Sequence, residues 1–294
     1  VSPFEFALVL ASALLHAWWS ASIKGSHDPL VFNLLQCGAS LALAAVVLPL
    51  IHLDEIAVPV WRWLALTGFT HAFYFYWMSR AFEHGELTLV YPIARSTPAF
   101  LPLVAIPLFG DSVSAGGALG IGVVVAGMWM VHAGPGLHRE AFASRAARYA
   151  YLTLLATVVY SLADKGAMAE LARGPWSSPV PRAVAYYTLL TLACTTVFTP
   201  LVLRRRALAE IVRMAPCQLA AATRASCVSF LGYTLILKAL ETAPASYVVA
   251  VRQTSVLFAV ALGVMHLREQ PGRARVLGAA ATVLGVAMIA LWGS

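Results

Sequence analysis

Ten apolar runs of about 20 residues succeed one another along the chain, near positions 3–23, 30–51, 59–82, 87–108, 113–133, 148–169, 181–203, 215–240, 245–265 and 272–292. A helix needs roughly 20 residues to cross the ~30 Å hydrocarbon layer of a bilayer. Lipid supplies no water to satisfy backbone N–H and C=O groups, so a run of that length crosses as an α-helix whose hydrogen bonds are internal. The runs therefore predict an all-α integral membrane protein with ten transmembrane helices and only short connections outside the lipid.

The composition points the same way. Hydrophobic residues make up 60% of the 294 and charged residues 11%, against about 25% charged in a soluble domain. The net charge of +7 does not mark a nucleic-acid surface, because Lys and Arg fall between the apolar runs rather than on one face or tail. Cys37, Cys194, Cys217 and Cys227 lie inside apolar stretches without C-x-x-C spacing or His partners, and read as small hydrophobes rather than disulfide or metal sites. HExxH, GxSxG, Walker A and EF-hand spacings do not occur, so no cofactor or ATPase function is expected of this chain. The first run has small residues around Ser20 and Ser22 but no basic segment before it, and is expected to be a retained span rather than a cleaved signal.

The two halves echo each other. Trp19-Ser20 followed by Lys24-Gly25 returns as Tyr160-Ser161 followed by Lys165-Gly166, 141 positions on. Arg80-Ala81-Phe82-Glu83 matches Lys238-Ala239-Leu240-Glu241 at an offset of 158, and Arg95-Ser96-Thr97-Pro98 matches Arg252-Gln253-Thr254-Ser255 at 157. Gly120 and Gly127 return as Gly278 and Gly285, again at 158. Residues 1–133 and 148–294 thus read as two five-helix units joined by 134–147. Five is odd, so the second unit enters the membrane from the opposite side, and the expectation is two inverted repeats with the working site in a central cavity between them. The connections after runs one, three, five, seven and nine, with the helix ends beside them, carry 12 Lys and Arg, those on the other side 5; the positive-inside rule makes the richer side cytoplasmic and puts both termini outside.

Ten spans, a five-helix duplication, the aromatic-Ser-x-x-x-Lys-Gly pattern in the first helix of each unit and the acids Asp111 and Glu269 after the fourth resemble the drug/metabolite transporter superfamily. Within it the chain is similar to the EamA family of bacterial metabolite exporters, among them the YddG-type amino-acid exporters. The resemblance implies a basket of ten helices in a bacterial inner membrane. It also implies a cavity lined by helices one, three, four, six, eight and nine, and alternating access in a chain complete as a monomer. Two features depart from the pattern. The small multidrug members carry a Glu deep in the first helix, whereas Glu5 here is at a run's end and Asp164 near one. Many family members are expected to keep their termini in the cytoplasm, against the charge count.

Three arginines are deep. Arg95 and Arg252 lie about eight residues into their runs, ~12 Å at 1.5 Å per residue, with Arg224 at similar depth. An Arg near a bilayer centre costs at least about 2.5–3.5 kcal/mol on insertion scales, so each is expected to face a cavity or a partner. Arg95 and Arg252 are candidates to grip a carboxylate through paired guanidinium hydrogen bonds; alternatively they satisfy carbonyls freed by Pro92 and Pro98. The four prolines of the fourth run, with Pro102 and Pro107, predict a kink there and none in the ninth. Trp19, His71, Tyr74, Tyr91, Tyr160, Tyr233 and Tyr247 are candidates for the wall of a site taking an amphipathic substrate, or for an interfacial belt. His16 and His71, mid-span, are candidates for proton coupling. Lys24 and Lys165 either snorkel to the interface or gate the cavity by pairing with an acid such as Asp164. The leading function is a secondary transporter exporting small metabolites, amino acids foremost, aromatic or otherwise neutral. The alternatives are a lipid-modifying membrane enzyme and a channel or importer of small organic anions.

Overall fold

A computed structural model describes residues 2–24, 26–85, 87–132, 139–258 and 272–292. Among the described residues are eleven α-helices: α1 Pro3–Lys24, α2 Pro29–Val47, α3 Val58–His84, α4 Leu87–Arg95, α5 Thr97–Phe109, α6 Ala115–His132, α7 Arg145–Arg173, α8 Arg182–Leu203, α9 Leu208–Leu240, α10 Ala245–Arg252 and α11 Arg273–Trp292. Every predicted run contains one, and the fourth contains two. Among the described residues, six stretches are long and apolar enough to cross a membrane: Pro29–Leu50, Leu89–Phe109, Arg145–Arg173, Arg182–Leu203, Leu208–Leu240 and Arg273–Trp292. The ninth run is described only to residue 258, and Glu269 lies outside the described residues.

Local chemistry sets the helix ends. Asp28 caps α2 by accepting from Leu30 N at 2.9 Å and Val31 N at 3.1 Å, with Pro29 in the first turn where its missing N–H costs nothing. Ser144 caps α7 through Ala147 N at 3.1 Å. Gly110 ends α5 with φ 68°, a left-handed conformation that a Cβ would strain.

The connections collect at two ends. At one, Arg206 after α8 donates to Asp28 before α2 at 2.6 Å and to Glu83 near the end of α3 at 3.2 Å. At the other, Ser178 after α7 accepts from His52 N at 2.9 Å, and Glu55 accepts from Ser177 N at 2.9 Å and Ser177 Oγ at 2.5 Å. The Ser177 hydroxyl bond, followed by its amide, holds the Glu55 carboxyl below the usual carboxylate range. That same end gathers Glu5 with Thr242, Asp111 with Ser246, and Ser114 with the carbonyl of Trp292.

Apolar side chains fill the core and also cover the outer surface. Val46, Leu103 and Leu291 are 72%, 71% and 71% exposed, while Asp164, Ser226 and Thr67 are fully buried. An outer surface of Leu, Val and Phe, with buried hydroxyls and a buried carboxylate set among the apolar core, suits a chain solvated by lipid.

Between α6 and α11, glycine permits backbone contact. A Cβ on Gly120 would lie 2.8 Å from the carbonyl oxygen of Gly285, and one on Gly127 2.6 Å from that of Gly278, with both reciprocal clashes at 2.6 Å. The sequence places these glycines on one face of each helix; the structure turns the two faces toward each other, a small-residue interface. Gly127→Leu is expected to destabilise the protein by about 1–3 kcal/mol through overpacking, seen as a lower temperature for loss of the monodisperse peak in detergent. Gly122→Ala, where nothing lies within 4 Å of the added Cβ, serves as the neutral control.

Candidate functional site

Two helices stop inside the bundle, each at an arginine. α4 ends at Arg95 and α5 begins at Thr97; α10 ends at Arg252, and the chain turns through Gln253 and Thr254. A break frees carbonyls that lipid cannot solvate. Small polar side chains just beyond each arginine take them up: Ser96 Oγ donates to Pro92 O at 2.7 Å, Gln253 Nε2 to Val249 O at 3.3 Å, and Thr254 Oγ1 to Val251 O at 2.9 Å. Trp129 Nε1 donates in turn to Ser96 Oγ at 3.0 Å. With no proline in the ninth run, no kink is expected there; the structure corrects this, because the chain breaks at Gln253 and Thr254, which hold the break through side-chain bonds instead.

Relieved of those carbonyls, both guanidinium groups face a common space. Arg95 and Arg252 line a cavity of about 30 Å³ together with His16, Tyr160, Thr97 and Gln253. Arg95 Nε, Arg252 Nε, Thr97 Oγ1 and Gln253 Oε1 are buried there without a hydrogen-bond partner in the protein. Arg95 touches His16 Nε2 through a terminal nitrogen and stacks over Tyr91 at 4.9 Å, and Arg252 stacks over Tyr233 at 5.2 Å. Each arginine is the last residue of its half-helix, where the negative end of the helix dipole favours a cation.

A larger cavity of about 70 Å³ adjoins the first, sharing His16, Tyr74, Tyr160 and Arg252. That volume holds a few water molecules at about 10–15 Å³ each. Trp19 lines it, stacked on His16 at 5.0 Å and donating to Gln36 Oε1 at 2.8 Å. His71 and Tyr160 face it with ring centroids 3.9 Å apart, and Tyr233 closes one side. No acid lines either space among the described residues.

An acid stands just behind the wall, however. Asp164 was expected near a helix end; α7 runs to Arg173, nine residues further, so the carboxylate is deep and fully buried. It accepts from Thr67 Oγ1 at 2.7 Å, Tyr186 OH at 3.1 Å and Tyr233 OH at 2.5 Å. The Tyr233 hydroxyl is also 3.0 Å from His71 Nε2. Lys165, next in sequence, does not pair with it. Its ammonium donates to the carbonyls of Leu240 at 3.0 Å and Ala243 at 2.8 Å, closing the C-terminus of α9. The side chain of Lys24, the last residue of α1, lies outside the described residues.

Other candidates sit elsewhere. Tyr247 is in the first turn of α10, its hydroxyl accepting from Ser114 N at 2.9 Å beside Gly117, away from both cavities. Arg224, midway along α9, is exposed on the outer face, on the far side of the helix from Tyr233. Tyr91 lines neither space and acts beneath Arg95. Conversely, α2 and α8 contribute lining that the resemblance did not imply: Gln36 and Ser40 from one, Tyr187, Thr191 and Thr195 from the other. Their spacing of four residues, a polar stripe inside an apolar run, was the available signal.

Residues 173–291 match the EamA-like transporter family. No curated protein matches. Among 28 chains of solved structures that do, one crystal structure superimposes with a TM-score of 0.69 over 99% of this chain and 97% of its own, at 16% sequence identity. At that identity the likeness concerns the fold alone.

Cys37 and Cys194 line the larger cavity, whereas Cys217 and Cys227 are exposed on α9. In a Cys217→Ser/Cys227→Ser background, a small water-soluble methanethiosulfonate is expected to modify Cys37 or Cys194 at a rate measurable by mass spectrometry. No modification in the native state would mean that water does not reach this cavity.

Proposed function

We propose that the chain, a multi-pass membrane transporter with an EamA-like second half, carries small carboxylate-bearing metabolites by alternating access, and exports amino acids with aromatic or other neutral side chains from a bacterial cell. The enzyme alternative falls away with the match to a transporter family. The observation that carries the substrate reading is the pair Arg95 and Arg252, which share one cavity with unpartnered Nε atoms and, among the described residues, no acid in its lining. A carboxylate answers a guanidinium with two parallel hydrogen bonds, and an anion there offsets the cost of a cation in the membrane interior. Trp19, Tyr74, Tyr160 and Tyr233 offer the substrate's apolar part an aromatic wall.

Residues 1–133 and 148–294 act in this reading as inverted five-helix units joined by 134–147, rocking about the cavity. Support comes from the reciprocal approach of Gly120 to Gly285 and Gly127 to Gly278, and from helix breaks at the repeat-equivalent Arg95 and Arg252. The basic connections face the cytoplasm of the inner membrane. A channel or importer of small organic anions would use the same two arginines, and differs in its flux.

In proteoliposomes, radiolabelled phenylalanine or tryptophan is expected to show counterflow, with a tenfold or greater loss in Arg95→Ala and in Arg252→Ala variants that remain monodisperse. Full exchange by both variants would remove the carboxylate site, and uptake without trans-stimulation would favour the channel. For orientation, a Cys introduced beside Arg205 is expected to label from the cytoplasmic side. Labelling only from outside would reverse the topology.

A further inference from the structure

Behind the cavity wall, Asp164, Tyr233 and His71 are joined in a line. Tyr233 OH is 2.5 Å from Asp164 Oδ2 and 3.0 Å from His71 Nε2. The other nitrogen of His71 is 3.0 Å from the carbonyl oxygen of Thr67, which only accepts, and 3.1 Å from Thr67 Oγ1, whose proton points to Asp164 Oδ1 at 2.7 Å. Nδ1 therefore carries a hydrogen and donates to Thr67 O.

Two arrangements then satisfy every contact. In the first, Asp164 is protonated and donates to the Tyr233 oxygen, whose own hydrogen goes to a neutral His71 Nε2. In the second, His71 is an imidazolium donating from Nε2 to the Tyr233 oxygen, whose hydrogen goes to the Asp164 carboxylate. They hold the same number of protons and interconvert by shifting one along each bond. Removing that proton leaves the single hydroxyl hydrogen of Tyr233 between two acceptors, so either the carboxylate or Nε2 faces a lone pair. Moving the imidazole hydrogen to Nε2 only transfers the conflict to Nδ1 and the Thr67 carbonyl.

We propose that Asp164, Tyr233 and His71 form a proton-carrying chain, with the Tyr233 hydroxyl relaying one proton between carboxylate and imidazole, and that this proton couples to transport. His71 and Tyr233 open on the cavity while Asp164 is sealed behind them, so the proton's position connects the bundle interior to the substrate space. Among the described residues, the titratable and charged groups facing the chain are His16 on α1, Cys37 on α2, Tyr74 on α3, Arg95 on α4, Tyr160 on α7, Tyr186, Tyr187 and Cys194 on α8, and Arg252 on α10, whose guanidinium lies over the Tyr233 ring at 5.2 Å. An anion seated at Arg252 neutralises the nearest cation and favours the imidazolium arrangement. The coupling half of this proposal rests on the transport reading; the chain itself does not.

The chain is tested without substrate, by infrared difference spectroscopy of the purified protein across pH. A protonated-carboxyl band lost in Asp164→Asn and imidazole ring modes lost in His71→Gln are expected to titrate together in the wild type and separately in Tyr233→Phe. Tyr186→Phe, which removes only a donor to Oδ1, keeps the joint titration. The chain is overturned if Asp164→Asn loses no carboxyl band, if Tyr233→Phe leaves the joint titration intact, or if Tyr186→Phe splits it as well. The coupling is tested in proteoliposomes with labelled phenylalanine. A pH gradient is expected to change its steady-state accumulation at least threefold in the wild type, and the ratio of that change to counterflow is expected to collapse in Asp164→Asn. Counterflow with no gradient effect overturns the coupling. Absence of all counterflow counts against the amino-acid reading and leaves the infrared result to decide the chain.

Discussion

A backbone carbonyl released inside a lipid-solvated bundle must find a donor within the protein, and two helices here release carbonyls where they stop at Arg95 and Arg252. Ser96, Gln253 and Thr254 supply those donors. The cavity follows from this, because arginines bound to the freed carbonyls would have their charge occupied by backbone. They instead turn unpartnered Nε atoms into a shared space. Irregular backbone at membrane depth is tolerated where it lines such a cavity, and the break and the cavity account for each other.

The surrounding helices hold this arrangement by close contact rather than by burial of oily surface, since a lipid tail is as apolar as leucine. Glycine brings α6 and α11 to backbone distance. Serine hydroxyls stitch the interior: Ser40 on α2 pairs with Ser226 on α9 at 2.6 Å, and Ser12 on α1 donates to the carbonyl of Gly232 at 2.6 Å. Lys165 fastens α7 to the end of α9 through two carbonyls, one residue from the carboxylate that anchors the Tyr233 network. Neighbouring residues of one helix thus serve the scaffold and the site separately, because they project about 100° apart around the axis.

Much of this was legible in advance. Apolar runs of spanning length located every described helix, and depth within a run singled out Arg95 and Arg252, whose matched positions in the two halves suggested that they meet. Other residues lie where the linear pattern does not place them, for identifiable reasons. Asp164 looked terminal because hydropathy falls away around Asp164 and Lys165, whereas hydrogen bonding carries α7 on to Arg173. Tyr247 has the right type and Arg224 the right depth, but they point to α6 and to the outer surface. Gln36 and Thr191 went unremarked as isolated polar residues, although each belongs to a stripe.

Taken alone, the sequence determined that the chain is a bundle of membrane helices and which charges lie too deep to be left to lipid, because both depend only on how many apolar residues stand between polar ones. Tertiary structure decided which of those charges meet, that a break without proline opens the ninth run, and that Asp164, Tyr233 and His71 form one hydrogen-bonded line. These depend on the rotation of each helix about its axis. That rotation is set by contacts between α3, α7, α8 and α9, residues as far apart in the chain as His71 and Tyr233, and no local pattern encodes it.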